Sequence, residues 1–231
     1  MGKHYAFSDI HGNYELFKKI KEFLSPDDVC FVLGDYADRG ERGITIIKEV
    51  LSDKRYICLK GNHDDMLVKT VLYKDEVCRE KWLLDGNGGK TTLEQFKKDG
   101  SPIEIVKLID NLPLTATYTN EKGTKYLMSH AGFSYNKPEN ERDYLWDRSH
   151  YEEIDNNIPK NTIILHGHTP QKYLYENLGI KGELLECKNT GEKAVFVYNN
   201  GQKIDIDCGT FRNKFIALYC LDTGEVYKFN E

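Results

Sequence analysis

Three short apolar runs in the first sixty residues are each followed at once by a block rich in Asp, His, Asn and Gly. The runs are residues 4–7, 29–33 and 56–59, and the apolar residues of 16–24, between the first two runs, recur at helical spacing. Alternation of β-type runs with helix-period segments is typical of βαβ units and a largely parallel sheet. Because ligands of open α/β sheets gather beyond the carboxyl ends of the strands, we expect the three polar blocks to converge.

The rest of the chain changes its pattern twice. Residues 65–113 show helical periodicity interrupted by Gly and Pro, which predicts a helical insertion. From about residue 114 the runs become β-like and are separated by turn signals, which predicts a mainly antiparallel part over about 114–231. Within that part, the turns of 173–202 predict an extra hairpin near the site. The length fits one large domain, so we expect a single α/β domain over 1–231.

The charge and the apolar content of the chain argue against proteins that bind nucleic acid or enter membranes. A net charge of −5 with no basic cluster argues against general binding of nucleic acid or anionic lipid. No apolar run approaches the length that spans a bilayer, and the N-terminal residues lead directly into a polar block without room for a signal segment. The six cysteines are scattered without a CxxC pair. We therefore expect a cytoplasmic monomer with no nucleic-acid or membrane partner.

Two further blocks of the same composition lie in the second half, and the five are residues 8–13, 34–40, 61–64, 129–132 and 166–170. Taken singly, such a block is more often turn chemistry, because Asp, Asn and Gly tolerate positive φ, and a lone His130 is more often a core histidine. Their joint occurrence at strand ends favours a shared site. Carboxylate, imidazole and amide ligands suit divalent ions such as Mn, Fe and Zn.

The reaction that this constellation predicts is metal-assisted phosphoester hydrolysis. A pair of metal ions about 3.5–4 Å apart can activate a water and neutralise phosphoryl oxygens at the same time. Such a pair is usually held by a bridging carboxylate, and Asp35, after the second predicted strand, is the central candidate. Asp9 and His11, two residues apart on an extended turn, can reach one ion together.

All five blocks carry a family resemblance, which spans Asp9 to Thr169, and two of them can be written as family patterns. Residues 8–12, Ser-Asp-Ile-His-Gly, are similar to the pattern Gly-Asp-x-His-Gly, and Gly-Asp-x-x-Asp-Arg-Gly is complete at 34–40. These patterns resemble those of the calcineurin-like metallophosphoesterases, specifically the phosphoprotein phosphatases with their bacterial and phage relatives. Residues 87–91, 146–148 and 206–209 add similarity to the bacterial members. The resemblance implies a four-layer α/β/β/α sandwich with mixed sheets.

The resemblance also implies roles for individual residues. One metal ion would be held by Asp9, His11 and Asp35, and the other by Asp35, Asn62, His130 and His168. Arg39 and Arg148 would grip phosphate oxygens, a task that suits the planar guanidinium group, and Asn62 would add a substrate contact. His63 would be the general acid, oriented by Asp38, while His166 would lie behind the ligands. We expect two divalent metal ions, with Mn preferred and Fe, Zn or Ni as alternatives.

Three functions remain open at this point. The first is a serine/threonine protein phosphatase that acts on phosphorylated proteins or small phosphomonoesters, and the intact Asp38-Arg39-Gly40 favours it. The alternative is a symmetrical diadenosine-polyphosphate hydrolase, a sister group usually altered around that motif. A non-enzymatic metal-dependent binding or scaffold module is disfavoured, because the proposed ligands, acid and arginines are all present. Ser8 and Asp64 depart from the usual Gly and Glu, but neither is a proposed ligand.

Overall fold

The computed structural model describes residues 2–100, 102–135, 140–152 and 155–231. The strands are β1 (His4–Phe7), β2 (Val29–Val32), β3 (Tyr56–Cys58), β4 (Thr115–Thr119), β5 (Lys125–Ser129), β6 (Thr162–His166), β7 (Gly182–Glu186), β8 (Lys193–Tyr198), β9 (Lys203–Asp205), β10 (Phe215–Cys220) and β11 (Val226–Asn230). The helices are α1 (Tyr14–Phe23), α2 (Gly43–Ser52), α3 (Asn62–Val71), α4 (Glu76–Trp82), α5 (Gly89–Asp99), α6 (Pro102–Asp110), α7 (Glu141–Trp146), α8 (Gln171–Glu176) and α9 (Thr210–Asn213).

The first sheet has the strand order β11-β10-β1-β2-β3. Strands β1, β2 and β3 are parallel, as the alternating pattern predicts, and helices α1 and α2 provide the crossovers. Helix α1 starts where the Asn13 side chain accepts a hydrogen bond from the backbone N–H of Leu16, and it buries one apolar face. Strands β10 and β11 extend the sheet in antiparallel fashion, so the sheet is mixed.

The second sheet has the order β4-β5-β6-β9-β8-β7 and is mixed as well. The expected antiparallel pairing is correct for its outer strands, but β5, β6 and β9 in the centre are parallel. The reason is that the connections between these central strands are long crossovers containing α7 and α8, short helices that the turn signals did not reveal. The hairpin expected within 173–202 is present as β7 and β8. It lies at the edge of the sheet, and none of its residues lines the cleft described below, so its expected position near the site is wrong.

The two sheets pack face to face between two helical layers. Along β1, Tyr5 and Phe7 belong to the core that the first sheet shares with the helices of 14–110, whereas Ala6 faces the second sheet. This alternation is the period of two that a strand buried on both faces requires. On the outer side of the second sheet, Leu174 of α8 packs against Phe196 and neighbouring apolar side chains. The fold is therefore the four-layer α/β/β/α sandwich with mixed sheets that the sequence predicts.

The sandwich brings the polar blocks to one end of the molecule, because they follow β1, β2, β3, β5 and β6 at the carboxyl ends of these strands. Among the residues that the structure describes, no helix combines the length and the apolar character needed to cross a bilayer.

Candidate active site

Asp35 lies at the centre of the convergent blocks and is almost completely buried. Its Oδ2 atom is 3.6 Å from Nε2 of His11 and 3.5 Å from Nε2 of His130. Its Oδ1 atom accepts a hydrogen bond of 2.9 Å from the backbone N–H of His63. Burial raises the pKa of Asp35 well above its usual value, and the nearby Asp9 carboxylate adds to this effect. A carboxylate in this position is stabilised in its ionised form by any positive charge placed between the two imidazoles.

The imidazoles of His11 and His130 are held in a defined tautomer. Nδ1 of His11 is 2.9 Å from the carbonyl oxygen of Ala37, and Nδ1 of His130 is 2.7 Å from that of Leu33. Because a carbonyl oxygen only accepts, the proton of each ring is on Nδ1, and the Nε2 lone pair points toward Asp35. A backbone carbonyl behind the ring is the usual support of a histidine that binds a metal ion.

Asn62 and His168 complete the opposite side of the cluster. Oδ1 of Asn62 lies 2.8 Å from Nε2 of His130 and 2.8 Å from Nδ1 of His168. The second ring nitrogen of His168, Nε2, is buried and has no hydrogen-bond partner among the described residues. The backbone N–H of His168 donates to Oδ2 of Asp9 at 3.0 Å, which ties this loop to the first block. Lone pairs of the amide oxygen and of His130 therefore converge, which is the arrangement a cation stabilises.

Two groups of side chains have candidate ligand atoms within 4.8 Å of one another, namely His11, Asp35 and His63, and Asp9, Asp35 and His130. Both groups contain Asp35, as expected of a bridging carboxylate. His63 takes the place expected for Asp9 in the first group, although Oδ1 of Asp9 is also only 3.9 Å from Nε2 of His11. The donor set therefore fits divalent metal ions.

All the predicted metal ligands lie together in this cluster: Asp9, His11, Asp35, Asn62, His130 and His168. Their role as ligands and the identity of the metal stay predictions. His166 lies behind them, with Nε2 at 2.8 Å from the hydroxyl of Tyr198.

His63 and Asp38 form a buried pair. Nδ1 of His63 is 2.6 Å from Oδ2 of Asp38, so the other ring nitrogen, Nε2, faces the cleft. Asp38 also accepts hydrogen bonds from Nε1 of Trp82 at 2.6 Å and from Oγ1 of Thr92 at 2.5 Å. Neither donor is among the residues predicted from the sequence, although both flank the Gly-rich segment of 86–89.

The predicted phosphate-binding arginines both line the cleft. Arg39 contacts Nε2 of His11 through Nη1, and its Nη2 is 3.1 Å from Nε2 of His63. Arg148 follows α7, and its Nε donates to Oγ1 of Thr169 at 3.0 Å. The two arginines line the same cleft, and their role in gripping phosphate stays a prediction.

The loops that carry the site are backbone-strained and closely packed. Positive φ angles occur at Asp9 (55°), His11 (42°), Asp35 (59°), Asp38 (69°), Arg39 (63°) and His168 (74°). Such angles cost free energy in residues other than glycine, and they cluster at functional sites. A Cβ on Gly12, whose φ is +69°, would be 2.6 Å from the carbonyl oxygen of Gly40. Glycine is therefore required where the first and second blocks touch.

Asp64 braces the second and third blocks against each other. Its Oδ2 accepts the backbone N–H groups of Asp35 and Gly61, each at 2.8 Å, and its Oδ1 accepts that of Tyr36 at 3.4 Å. Burial raises the pKa of Asp64 to about 6. In the sequence, Asp64 is notable only as a departure from the usual Glu. In the structure, its carboxylate holds the backbone beside Asp35 in place.

The cleft above this cluster has a volume of about 640 Å³, and part of its wall was not predicted. Asp207 lines it, with Oδ1 accepting the backbone N–H of Gly209 at 2.7 Å. Burial and the neighbouring Asp9 raise the pKa of Asp207, against the effect of Arg39. Phe211 and Arg212 of α9 also line the cleft, and the Arg212 side chain has no hydrogen-bond or ion-pair partner among the described residues. In the sequence, residues 206–209 show only a similarity to bacterial members of the family, and this similarity implies no role for Asp207.

Comparison with curated proteins finds symmetrical bis(5′-nucleosyl)-tetraphosphatases of Buchnera aphidicola subsp. Acyrthosiphon pisum. The protein of strain Tuc7 is 29% identical over 134 residues, which cover 56% of this chain and 44% of the relative. The protein of strain APS gives the same values. The match thus spans less than half the length of these relatives.

Among solved structures, a protein provisionally described as a diadenosine tetraphosphatase superposes with a TM-score of 0.64 at 14% identity, covering 99% of this chain and 93% of that one. A serine/threonine phosphatase from Saccharomyces cerevisiae with similarity to human phosphatase PP5 gives 0.58 at 15% identity, covering 100% and 80%. These likenesses establish the fold. The sequence profile described as calcineurin-like phosphoesterase matches residues 3–197, which include every block of the cluster around Asp35, and the chain belongs to that family.

Proposed function

We propose that this chain is a metal-dependent hydrolase of dinucleoside polyphosphates that cleaves a P–O–P anhydride between two nucleotides. Two kinds of support point to this substrate class. The curated relatives are named as symmetrical bis(5′-nucleosyl)-tetraphosphatases. The cleft carries a third arginine, Arg212, beyond the two that one phosphate group needs, and it stands beside the partly exposed ring of Phe211.

The observation that carries the proposal is Arg212, whose side chain has no hydrogen-bond or ion-pair partner among the described residues. Arg39 and Arg148 account for the oxygens of the phosphate that is attacked, so a further guanidinium group in the same cleft suits a second phosphate. An aromatic ring next to it offers a surface for a planar base. A phosphorylated serine side chain has neither a second phosphate nor a base.

The chemistry of the site follows from its side chains. When bound, two divalent cations would neutralise phosphate oxygens and lower the pKa of a water that attacks phosphorus. The residues that would hold them are Asp35 with its neighbours in the cluster described above. Arg39 and Arg148 orient the phosphate, since each guanidinium group can donate two parallel hydrogen bonds.

His63 supplies a proton at the other end of the bond that breaks. The Asp38 carboxylate accepts the hydrogen bond from Nδ1, so Nε2 is the ring atom that gives its proton to the leaving oxygen. As the P–O bond breaks, the proton neutralises the charge on that oxygen. Water supplies the new oxygen on phosphorus, and hydrolysis of diadenosine tetraphosphate at its central anhydride gives two molecules of ADP.

A second candidate function is a serine/threonine protein phosphatase, and one observation favours it. The His63–Asp38 pair is buried and held by two further donors, and such a well-ordered acid is most valuable for a poor leaving group such as an alcohol. The leaving group of an anhydride is a phosphate, which departs more easily. The complete Asp38-Arg39-Gly40 sequence also resembles this class.

The deciding experiment compares kcat/KM for diadenosine tetraphosphate and for a phosphothreonine peptide, with the same metal and the same enzyme preparation. We expect the dinucleotide to be preferred and ADP to be the only nucleotide product. Arg212→Ala should raise KM for the dinucleotide far more than KM for p-nitrophenyl phosphate. Arg79→Ala is the matched control, because Arg79 pairs with Glu76 on α4 and does not line the cleft. A clear preference for the peptide would reject the proposal in favour of the protein phosphatase.

A further inference from the structure

The carboxylate of Asp38 receives hydrogen bonds from both ends of the Gly-rich loop between α4 and α5. Trp82 is the last residue of α4, and Thr92 lies in the first turn of α5. We propose that Trp82 and Thr92 are positioning residues of the reaction, which hold Asp38 so that it can orient His63. This proposal rests on the role of His63 as the acid. It means that the helical insertion helps to position that acid.

The hydrogen bonds fix the carboxylate at both of its oxygens. Oδ2 is shared by Nδ1 of His63 and Nε1 of Trp82, each at 2.6 Å, and Oδ1 accepts the hydroxyl of Thr92 at 2.5 Å. The same hydroxyl oxygen accepts the backbone N–H of Asp38 at 3.0 Å. The threonine therefore uses its hydroxyl as donor and as acceptor on one residue. The carboxylate plane has no freedom to rotate away from the imidazole.

We call the hydrogen bonds from Trp82 and Thr92 to Asp38 the clamp. The backbone of Asp38 explains why it is needed. Its φ of +69° lies in the left-handed region, which is uncommon for residues other than glycine, although aspartate adopts it more readily than most. Trp82 and Thr92 are completely buried, so if Asp38 moved their donors would lose the hydrogen bond to Asp38 without gaining one to water. Trp82 and Thr92 of the insertion thus stabilise the conformation in which Asp38 contacts His63.

The glycines of the loop between Trp82 and Thr92 allow that loop to lie against the Asp38-Arg39 turn. The backbone N–H of Arg39 donates to the carbonyl oxygen of Gly88 at 3.4 Å. A Cβ on Gly88 would be 2.4 Å from that nitrogen, and a Cβ on Gly89 would be 2.5 Å from the Trp82 ring. Only glycine allows the loop to lie this close to the Asp38-Arg39 turn. The glycine pair in the sequence is therefore explained by the clamp.

Trp82 and Thr92 act through Asp38 because neither lines the cleft. Loosening the clamp should leave substrate binding and the metal-ligand cluster in place and should misalign His63. The loss should then fall on proton transfer to the leaving oxygen. It should be large for substrates whose leaving group needs a proton and small for those whose leaving group does not.

The test uses variants matched in shape. Thr92→Val removes the hydroxyl and keeps the volume, Thr92→Ser restores the hydroxyl, and Trp82→Phe removes the indole N–H. The controls are Thr70→Val and Tyr56→Phe, because each removes a buried hydroxyl that has no hydrogen-bond partner among the described residues. The substrates are phenyl phosphate, with a poor leaving group, and p-nitrophenyl phosphate, with a good one.

We expect Thr92→Val and Trp82→Phe to lower kcat for phenyl phosphate by about tenfold or more, a share of the roughly 10²–10⁴ that a general acid contributes. The values of kcat for p-nitrophenyl phosphate, KM for both substrates and the bound metal should change little. Thr92→Ser should recover most of the loss, and the controls should show none. An equal loss on both substrates, or no loss, would overturn the proposal.

A second readout does not depend on turnover. In proton NMR the Nδ1 proton of His63 should give a downfield signal that is absent from His63→Asn. This signal should be sharp in the wild type and in Thr70→Val and should broaden in Thr92→Val, and a sharp signal in Thr92→Val would count against the clamp. The outcome is independent of the comparison between dinucleotide and phosphopeptide, so failure of the clamp and failure of the proposed substrate class are distinguishable.

Discussion

Nε2 of His63 lies 3.1 Å from Nη2 of Arg39, and both residues line the same cleft. The nitrogen that would donate a proton and the guanidinium group that would hold the phosphate are therefore neighbours. At this separation His63 and Arg39 can act on the same phosphate group, His63 on its leaving oxygen and Arg39 on its other oxygens.

The role of His63 can be tested through the leaving group. His63→Asn should slow hydrolysis of a phosphoserine peptide much more than hydrolysis of p-nitrophenyl phosphate, because nitrophenolate leaves without a proton. The expected loss on the peptide is about 10²–10⁴-fold. Steady-state kcat for both substrates gives the answer, and His4→Asn, at a site remote from the cleft, serves as the control. Equal losses on the two substrates would show that His63 is not the acid.

The two arginines should differ in their kinetic effects. Arg148→Ala should mainly raise KM, through loss of a charge-assisted contact worth about 1.5–3 kcal/mol. Arg39→Ala should also lower kcat, because Arg39 lies beside the Asp35 cluster, where charge develops in the transition state. Michaelis curves on one phosphomonoester separate the two effects. If Arg39→Ala changed KM alone, its proposed part in the chemical step would be wrong.

A histidine away from the cleft should make the fold sensitive to acid. Burial lowers the pKa of His150 to about 3, and Lys203 adds to the effect. In the unfolded chain the pKa of histidine is about 6.5, so between about pH 6.5 and 3 the unfolded state binds a proton that the folded state does not. The free energy of unfolding therefore falls as the pH falls through this window.

His150→Gln removes the titration and keeps a donor for the carbonyl oxygen of Ala131, which lies 2.8 Å from Nε2 of His150. Between pH 7 and pH 5 the wild type should lose about 2 kcal/mol more stability than the variant. Urea unfolding at the two pH values measures this difference. The same loss in both proteins would mean that His150 does not titrate as its burial implies.

The sequence is enough to predict that the ligand-type residues lie together, because each of them follows a strand. Asp9, Asp35 and Asn62 each follow one of the three parallel strands of the first sheet, and the carboxyl ends of such strands meet. Histidines at the ends of β5 and β6 join them because those two strands are parallel as well. The strand-end position of each block was therefore enough to place these residues together.

The surroundings of the site could not be predicted in the same way. Trp82 and Thr92 are 44 and 54 residues away from Asp38, and no periodicity links a helix terminus to a loop across that distance. Arg212 lies on a helix of four residues, too short to leave a helical pattern in the sequence. The parallel pairing of β6 with β9 depends on a crossover whose strands and turns resemble those of hairpins.

Replacement of Asp35 tests whether this cluster holds two metal ions, because Asp35 lies 3.6 Å from Nε2 of His11 and 3.5 Å from Nε2 of His130. Asp35→Asn removes the charge that would hold two cations together and changes the shape very little. Metal content should be measured by mass spectrometry together with turnover of p-nitrophenyl phosphate, and Asp222→Asn, remote from the cleft, is the control. We expect two equivalents of metal in the wild type, and less metal with no detectable turnover in Asp35→Asn. Two equivalents with near-normal turnover in that variant would contradict it.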